Sequence, residues 1–318
     1  MATHTLQPER ATLHGHFSRD LAPILTIDPG DTIVARTLDA GWSIGPRPAA
    51  GTERPTFAER DRERDGGHAL LGPVAVRGAE PGMGLAIDID EIMVGAWGWT
   101  VAGGWDHPIN RAFDIVDGLY DFDWSLDVAA GLGRNQFGET IRLRPFLGQL
   151  AVAPAMPGRH STIPPRNTGG NLDCRELVAG SRLVLPIEVP LALFSFGDGH
   201  AAQGDGESSV TAVECPLERV VLRLSLEPQP LLSTPYARTP AGWITFGLDE
   251  DLTQAAHRAL TAMVTLLGAL HGFDKRRALA LASVAVDLRV TQIVNGVRGV
   301  HAVLADDAIL NPPSRSTP

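Results

Sequence analysis

The chain has 318 residues, a formal net charge of −10 and a sequence pI of about 5.4. This acidic balance argues against a nucleic-acid-binding protein and against attraction to anionic membranes, and the lack of an apolar run of about 18 residues argues against a membrane span. Hydrophobic residues make up 44% of the chain, as in ordinary soluble globular proteins.

The N-terminal segment and the cysteines predict a cytoplasmic protein. Residues Met1 to Arg10 are polar and lack the apolar core of a signal peptide. Cys174 and Cys215 are the two cysteines, and their spacing matches neither a disulfide framework nor a metal site. We interpret Cys174, beside Asp173, as a small buried hydrophobe rather than as a nucleophile.

Short strands are predicted for most of the chain. Leu21–Ile27 and Thr32–Thr37 flank a Pro-Gly turn at residues 28–31, which predicts two strands around a turn. Residues 46–67 are rich in Pro, Arg, Glu and Asp and are predicted to form an exposed loop. Apolar or alternating runs predict further strands over residues 68–76, 85–94, 142–152, 183–196 and 210–227.

Helices are predicted only near the C-terminus. Apolar residues recur at helical spacing from Asp251 to His271, and Gly272 ends this helix. Asp274 is placed to cap a second helix that runs to about Ala285. A strand over residues 287–294 follows.

Strands and helices do not alternate along the chain, so a doubly wound fold is not expected. The predicted fold class is β-rich α+β, with mixed sandwich- or barrel-like sheets and a C-terminal helical pair. Residues 1–318 are expected to form one unit, with a candidate subdivision near residues 155–170, and residues 311–318 are expected to be a disordered tail.

The densest group of polar residues lies in segment 194–207. It holds three carboxylates, one imidazole, one amide and four glycines, and it follows the apolar run 183–196. A buried strand that ends in a Gly-rich polar loop can hold reactive groups at the rim of a core. Asp and His bind zinc-like ions, additional carboxylate oxygens suit calcium, and a Glu beside a metal can be a general base. An acidic surface loop is the alternative, but the density of ligand-type residues favours a metal site.

A second polar group occupies residues 164–173. Two prolines rigidify the approach, and two glycines let the backbone pass close to a ligand. Asn171 and Asp173 face a common side if this segment is extended. Asn171 can orient a substrate amide, and Asp173 can ligate a metal or hold a histidine. A capped turn is the alternative, because Asn and Asp are natural caps.

Together, segments 165–173 and 197–207 resemble the acetamidase/formamidase family. Shorter segments resemble that family in the expected order, namely residues 29–31, 68–73, 78–82, 145–148, 152–154 and 193–195. The resemblance covers residues 12–305. It implies metal-supported hydrolysis of short aliphatic amides, such as formamide or acetamide, to a carboxylate and ammonia. It also implies a β-rich fold and a homo-oligomer.

The expected site comprises metal ligands, catalytic residues and substrate contacts. The metal ligands are Asp173, Asp198 and His200, with His68 as a further candidate; the catalytic residues are Glu207 and Asp205; the substrate-binding residues are Asn171, Gln203 and His68. Which carboxylate binds the metal and which acts as the base stays open. One or two divalent ions are expected, zinc with calcium as a second ion. Water activated at the site loses a proton to one of the two catalytic carboxylates and attacks the amide carbonyl. An amide side chain polarises the developing oxyanion, and Glu207 returns the proton to the leaving nitrogen.

Two other classes of function stay open. One is a hydrolase of another linear C–N bond, in a larger amide or a urea-like compound, which would need a larger pocket. The other is a non-catalytic metal- or carbohydrate-binding β-protein. Tight metal binding without amide turnover would indicate the latter, and the six tryptophans leave sugar binding open.

Overall fold

A computed structural model describes residues 1–49 and 51–310. Over these residues it has 20 strands and three helices. The strands are β1 (Thr3–Leu6), β2 (Leu13–His14), β3 (Leu25–Ile27), β4 (Thr32–Ala35), β5 (Leu70–Val76), β6 (Gly84–Val94), β7 (Trp97–Ala102), β8 (Tyr120–Asp127), β9 (Leu132–Asn135), β10 (Thr140–Arg142), β11 (Phe146–Ala151), β12 (Gly169–Asn171), β13 (Ser181–Pro186), β14 (Phe194–His200), β15 (Glu214–Cys215), β16 (Leu217–Glu227), β17 (Tyr236–Thr239), β18 (Gly242–Asp249), β19 (Val286–Gln292) and β20 (Arg298–Leu304). The helices are α1 (Pro108–Ala112), α2 (Leu252–His271) and α3 (Lys275–Ala285). The tail predicted for residues 311–318 lies outside the described residues.

The strands form two sheets. Sheet A has nine strands in the order β1-β4-β16-β6-β13-β17-β18-β20-β19. Sheet B has 11 strands, eight of them in the order β10-β9-β8-β7-β15-β14-β11-β12, and β5 joins β2 and β3 to β14. Most pairs are antiparallel, but β1 pairs with β4 and β3 with β5 in parallel. Over the described residues both sheets are open, and the predicted β-rich α+β class with mixed sheets is confirmed.

The C-terminal helical pair is also confirmed. The Asp251 side chain caps α2 by accepting from the Gln254 backbone N–H, and Gly272 ends the helix in a left-handed conformation. Asp274 caps α3 through two backbone N–H groups. A side chain at Gly247 of β18 would overlap the carbonyl of Ala255, so this glycine lets α2 lie close to sheet A. None of the helices described is long and apolar enough to cross a membrane.

The turn predicted at residues 28–31 forms, with the Asp31 N–H donating to the Asp28 carbonyl. Its two strands belong to different sheets, because β3 pairs with β5 in sheet B whereas β4 pairs with β1 and β16 in sheet A. This turn therefore leads the chain from one sheet to the other.

The single strand predicted over residues 183–196 is wrong. The segment splits into β13 of sheet A and β14 of sheet B, and residues 191–193 between them have positive φ. Two of the four glycines predicted to form a loop after the strand, Gly197 and Gly199, lie inside β14, whereas Gly204 and Gly206 lie in the loop that follows it. A Cβ at Gly197 would lie 2.5 Å from the Ala69 carbonyl oxygen, and one at Gly199 would lie 2.6 Å from that of Cys215. These glycines therefore serve close strand packing rather than a turn.

A buried histidine joins β2 to β14. The His14 Nδ1 donates to the His16 carbonyl at 2.7 Å, so its Nε2 accepts from the Ser195 hydroxyl at 2.9 Å. Burial, partly opposed by the His16 carbonyl, lowers the pKa of His14 to about 4. The folded protein therefore favours the neutral imidazole.

The buried His14 predicts a loss of stability in mild acid. Because its folded pKa of about 4 lies below the unfolded value of 6.5, its stabilising contribution is complete above pH 6.5 and declines as the pH falls towards 4. Between pH 7 and 4.5 we expect His14→Gln to lose about 2–3 kcal/mol less unfolding free energy than the wild type does. Urea unfolding at both pH values measures this difference. His257→Gln, at an exposed position on α2, is the control, and an equal loss in wild type and His14→Gln would contradict the assignment.

Candidate active site

Five buried ligand-type side chains, three from strands of sheet B and two from loops beside them, form what we call the acid cluster. They are Asp173, Asp198, His200, Glu207 and Glu214, and none is more than 5% exposed. His200 Nε2 lies 3.3 Å from Asp198 Oδ1 and 3.3 Å from Glu214 Oε2. The ligand atoms of Asp173, His200 and Glu207 lie within 4.8 Å of one another, as do those of Asp198, His200 and Glu214. The two groups share one imidazole and therefore form one site.

Strand geometry brings the cluster together. Asp198 and His200 are two residues apart on β14, so both side chains point to the same face. Glu214 on β15 is the register partner of His200. Asp173, Asp198 and Glu207 all have positive φ, at 49°, 61° and 47°. Non-glycine residues with positive φ are uncommon and concentrate at functional sites.

Gly148 of β11 leaves the space that the cluster occupies. A Cβ there would lie 2.8 Å from Asp173 Oδ1 and 2.9 Å from His200 Cε1, and closer still to Asp198 Oδ2. Any side chain at this position would displace ligand atoms. The glycine is therefore a steric requirement of the cluster.

Gln203 fixes the orientation and tautomer of His200. The Gln203 Nε2 donates to the Asp173 carbonyl at 2.8 Å, and this carbonyl can only accept. The Gln203 Oε1 therefore faces His200 Nδ1, at 3.0 Å, and Nδ1 carries a proton. As a result, Nε2 is the nitrogen aimed at the carboxylates, where either a proton or a metal ion must lie.

Burial of these charges perturbs their protonation. Burial raises the pKa of Asp173 to about 8. The attraction of His200 opposes this shift, and the repulsion of Asp198 adds to it. Burial and the nearby Asp173 likewise raise the pKa of Glu207. Burial also opposes ionisation of Asp198, but the attraction of His200 and His68 and the hydrogen bonds with His200 and Glu214 together outweigh it and lower the pKa of Asp198 to about 2. Burial disfavours the charged His200, yet Glu214 and Asp198 raise its pKa. Without another cation, the cluster is electrically balanced by protons.

The arrangement of donor atoms fits a divalent cation. Among the described residues, Asp173 Oδ1, Asp198 Oδ1 and Glu214 Oε2 are buried without a hydrogen-bond partner. The second oxygen of Asp173 accepts from Asn295 Nδ2 at 2.8 Å, and that of Glu214 from the Ala212 N–H at 3.0 Å. Ligands held by one atom and free at the other are the pattern of metal sites. One imidazole nitrogen with several carboxylate oxygens suits zinc, and an oxygen-rich half suits calcium.

Asn171 and His68 meet at Gln149, one residue after Gly148, rather than in the acid cluster. The Gln149 Nε2 donates to Asn171 Oδ1 and lies 3.2 Å from His68 Nδ1. His68 Nδ1 is also 2.7 Å from the Thr162 hydroxyl. These residues form a polar group beside the cluster.

Asp205 is not brought into the cluster. It is exposed, and its Oδ2 accepts from Arg289 Nε at 2.8 Å. Arg289 NH1 also donates to the buried Glu176 at 2.6 Å. Asp205 therefore ties the loop that carries Gln203 and Glu207 to β19.

Sequence reasoning missed Gly148, Glu214 and Asn295. Glu214 carried a usable signal, since it is a single acid among Ala212, Val213 and Cys215 in a segment predicted as a strand. Asn295 precedes Gly296, and this pair indicates a turn rather than a site. Gly148 becomes a functional position only once its neighbours across the sheet are known.

A neighbouring group, Cys174, Glu176 and His301, also places ligand-type atoms within 4.8 Å of one another. Here the charge is already balanced, because Glu176 contacts Arg289 at 2.6 Å and His301 Nε2 at 3.1 Å. Burial opposes ionisation of Glu176, but His301 and Arg289 lower its pKa to about 2. Burial and Glu176 raise the pKa of the Cys174 thiol, which fits the interpretation of this residue as an inert buried group.

Comparison with known proteins places these segments in a family. The model of the acetamidase/formamidase family matches residues 2–161 and 157–227. The crystal structure of an acetamidase from Bacillus halodurans superposes with a TM-score of 0.83 at 27% identity, over 95% of this chain and 97% of that chain.

Two curated relatives are similar in sequence. A formamidase of Methylophilus methylotrophus is 28% identical over 246 residues, 61% of this chain and 59% of that protein. An acetamidase of Mycolicibacterium smegmatis is 27% identical over 252 residues, 61% of each. The chain thus spans about six-tenths of the length of the curated relatives it matches.

Gly148→Ala tests the steric requirement of the acid cluster. The added methyl group would push apart Asp173, Asp198 and His200, so we expect zinc affinity to fall at least about 10-fold and stability by about 1–3 kcal/mol. Isothermal titration of metal-free protein with zinc, together with urea unfolding, measures both quantities. Gly204→Ala is the control, because a Cβ at Gly204 meets no atom within 4 Å. Zinc binding by Gly148→Ala that equals the control would show that the cluster is not the binding site.

Proposed function

The chain belongs to the acetamidase/formamidase family, and we propose that it hydrolyses the C–N bond of short aliphatic amides to a carboxylate and ammonia. One observation carries this proposal. Residue Asp173, at the end of one family-like segment, and residues Asp198, His200 and Glu207, from the other, meet in a single buried cluster. Neither segment holds a complete ligand set alone, so their convergence supports a shared chemical role.

We further propose that the acid cluster holds one or two divalent ions, zinc first. Asp173, Asp198, His200 and Glu214 present nitrogen or oxygen atoms that suit such an ion. When bound, the ion would supply Lewis-acid polarisation and lower the pKa of water. The remaining chemistry falls to the side chains of this chain.

Glu207 is proposed as the proton-transferring residue. It is buried beside Asp173 and Asn295, and burial raises its pKa. A carboxyl group with a raised pKa can accept a proton from attacking water and then deliver it to the amide nitrogen. That delivery is essential, because an unprotonated amide nitrogen is a very poor leaving group. Asp205 is held at the surface by Arg289, so we assign it to anchoring the loop rather than to proton transfer.

Substrate contacts are proposed for the polar group beside the cluster. Asn171 Oδ1 accepts from Gln149, which leaves its Nδ2 group for a substrate carbonyl. His68 is half-buried next to it and can contact the amide. Gln203 is bonded at both ends, to Asp173 and His200, and so acts by holding the ligands. Burial of all four carboxylates to 5% exposure or less favours very small amides.

We infer that the enzyme is a cytoplasmic homo-oligomer. The free cysteines Cys174 and Cys215 are both buried, which fits a reducing compartment. Tyr120 and Phe137 are each more than half exposed and stack on each other with ring centroids 5.7 Å apart, so they offer an apolar surface for subunit contact. Sedimentation velocity gives the subunit number, and a monomer at micromolar concentration would rule out the oligomer.

Ammonia release from formamide, acetamide and propionamide tests the proposed activity. We expect release that falls with increasing chain length, because the site is buried, and that stops when a chelator removes the ion. Zinc added back after the chelator should restore it. Unchanged release after verified metal removal would contradict the metal requirement, and no release by metal-loaded protein would contradict the substrate class.

Glu207→Gln tests the assignment of the proton-transferring residue. The amide keeps the shape of the side chain but cannot exchange protons, so kcat should fall by about 100-fold or more. Zinc content, measured by mass spectrometry, should stay near that of the wild type. Loss of zinc from this variant would instead identify Glu207 as a ligand.

A further inference from the structure

The turn between β19 and β20 reaches the acid cluster from outside the residues that match the family model. The match to the family ends at residue 227, whereas Asn295 follows β19. Asn295 is 6% exposed, and its Nδ2 lies 2.8 Å from Asp173 Oδ2 and 3.5 Å from Glu207 Oε2. One amide group thus faces two carboxylates that come from separate segments of the chain.

Asn295 is held in place by the turn itself. The Gln292 Oε1 accepts from the backbone N–H groups of Val294 at 3.0 Å and Asn295 at 3.2 Å, and its Nε2 donates to the Val297 carbonyl at 2.7 Å. Gln292 is completely buried. His107 Nε2 adds a bond to the Val294 carbonyl at 2.9 Å. The amide of Asn295 is therefore presented from a rigid support.

The same strand also holds the loop that carries Glu207. The Gly206 N–H donates to the Thr291 carbonyl at 3.0 Å, and the Ile293 N–H donates to the Gly206 carbonyl at 3.1 Å. Asp205 pairs with Arg289 of β19. These contacts fix the distance between Asn295 and Glu207, because both belong to one bonded unit.

We infer that Asn295 is a positioning residue for Asp173 and Glu207, an inference that rests on the proposed function. Since Asn295 occupies Asp173 Oδ2, the other oxygen, Oδ1, is the one left to face a cation, and no described group hydrogen-bonds it. The amide must turn its nitrogen towards two acceptor oxygens, which settles its orientation. Asn295 therefore selects the ligand atom of Asp173 and keeps Glu207 next to it.

Two substitutions separate positioning from charge and packing. Asn295→Ala removes the donor, and Asn295→Asp keeps the size but replaces the donor with an acceptor. For both we expect the zinc dissociation constant to rise about 10–100-fold, measured by calorimetry on metal-free protein. With acetamide, kcat should fall by a similar factor while KM changes less than about threefold, since Asn295 touches ligands rather than substrate.

Asn167→Ala is the matched control, because the side chain of the exposed Asn167 donates, within the described residues, only to the Ser233 carbonyl. It should keep wild-type zinc affinity and kcat. Asn295→Ala values within twofold of the wild type would overturn the inference. Tighter zinc binding by Asn295→Asp would also overturn it, because added negative charge alone predicts that result. If Asn295→Ala fails to fold, the isosteric Asp variant decides.

The experiment has a zinc arm, the calorimetry, and an activity arm, the acetamide kinetics, and together they test the role of Asn295 separately from the proposed function. Wild-type protein that binds zinc but releases no ammonia would contradict the proposed activity, and the zinc arm would still decide the role of Asn295. Wild-type protein that hydrolyses acetamide without binding zinc would contradict the metal proposal, and the split between kcat and KM would decide. Failure of the wild type in both arms would overturn both proposals.

Discussion

The burial of four carboxylates around one imidazole is the constraint on which the rest of the site depends. Uncompensated ions cost several kcal/mol each to bury, so this cluster must take up either protons or a cation. The pKa values of Asp173, Glu207 and His200 are raised, which means that protons balance the charge when no metal ion is bound. A divalent ion would release those protons, so cation binding and proton release must be linked. The excess of buried carboxylates over the imidazole thus favours both the binding of a cation and the uptake of a proton by Glu207.

The neighbouring ion network shows why ligand-type residues alone do not define such a site. Cys174, Glu176 and His301 are as close together as the members of the acid cluster. Yet one carboxylate there is matched by the imidazole and by Arg289, so no further cation is needed. The acid cluster has the opposite balance, four carboxylates to one imidazole, and three of its oxygens have no hydrogen-bond partner in the described part of the chain. Charge balance, rather than residue type, distinguishes the two groups.

Local sequence patterns predicted most of the helices and strands, but they did not predict which strands pair with one another. The caps at Gly272 and Asp274 are local signals and the structure has both, while Asp251, predicted as the start of the first helix, is its N-cap. The apolar run over residues 183–196 was misread as one strand, because a short and largely apolar segment, residues 187–193, separates two strands of different sheets that are both largely buried. The glycines inside β14 look like turn residues, whereas the sheet uses them for close packing. Those distinctions depend on neighbours that are remote in sequence.

The residues of the site also divide into those that local sequence patterns identified and those that depend on contacts remote in sequence. Asp173, Asp198, His200 and Glu207 were identifiable because they lie in dense polar segments, and the structure places them together. Asp205 lies in the same dense segment but points outward to Arg289, since density does not encode direction. Glu214 joins through its strand pairing with His200, and Asn295 through a turn held by a buried glutamine. Each sits where local rules are satisfied, in a strand or a turn. A residue that fits its strand or turn therefore shows no additional pattern in the sequence when it also contacts a metal ligand from a remote segment.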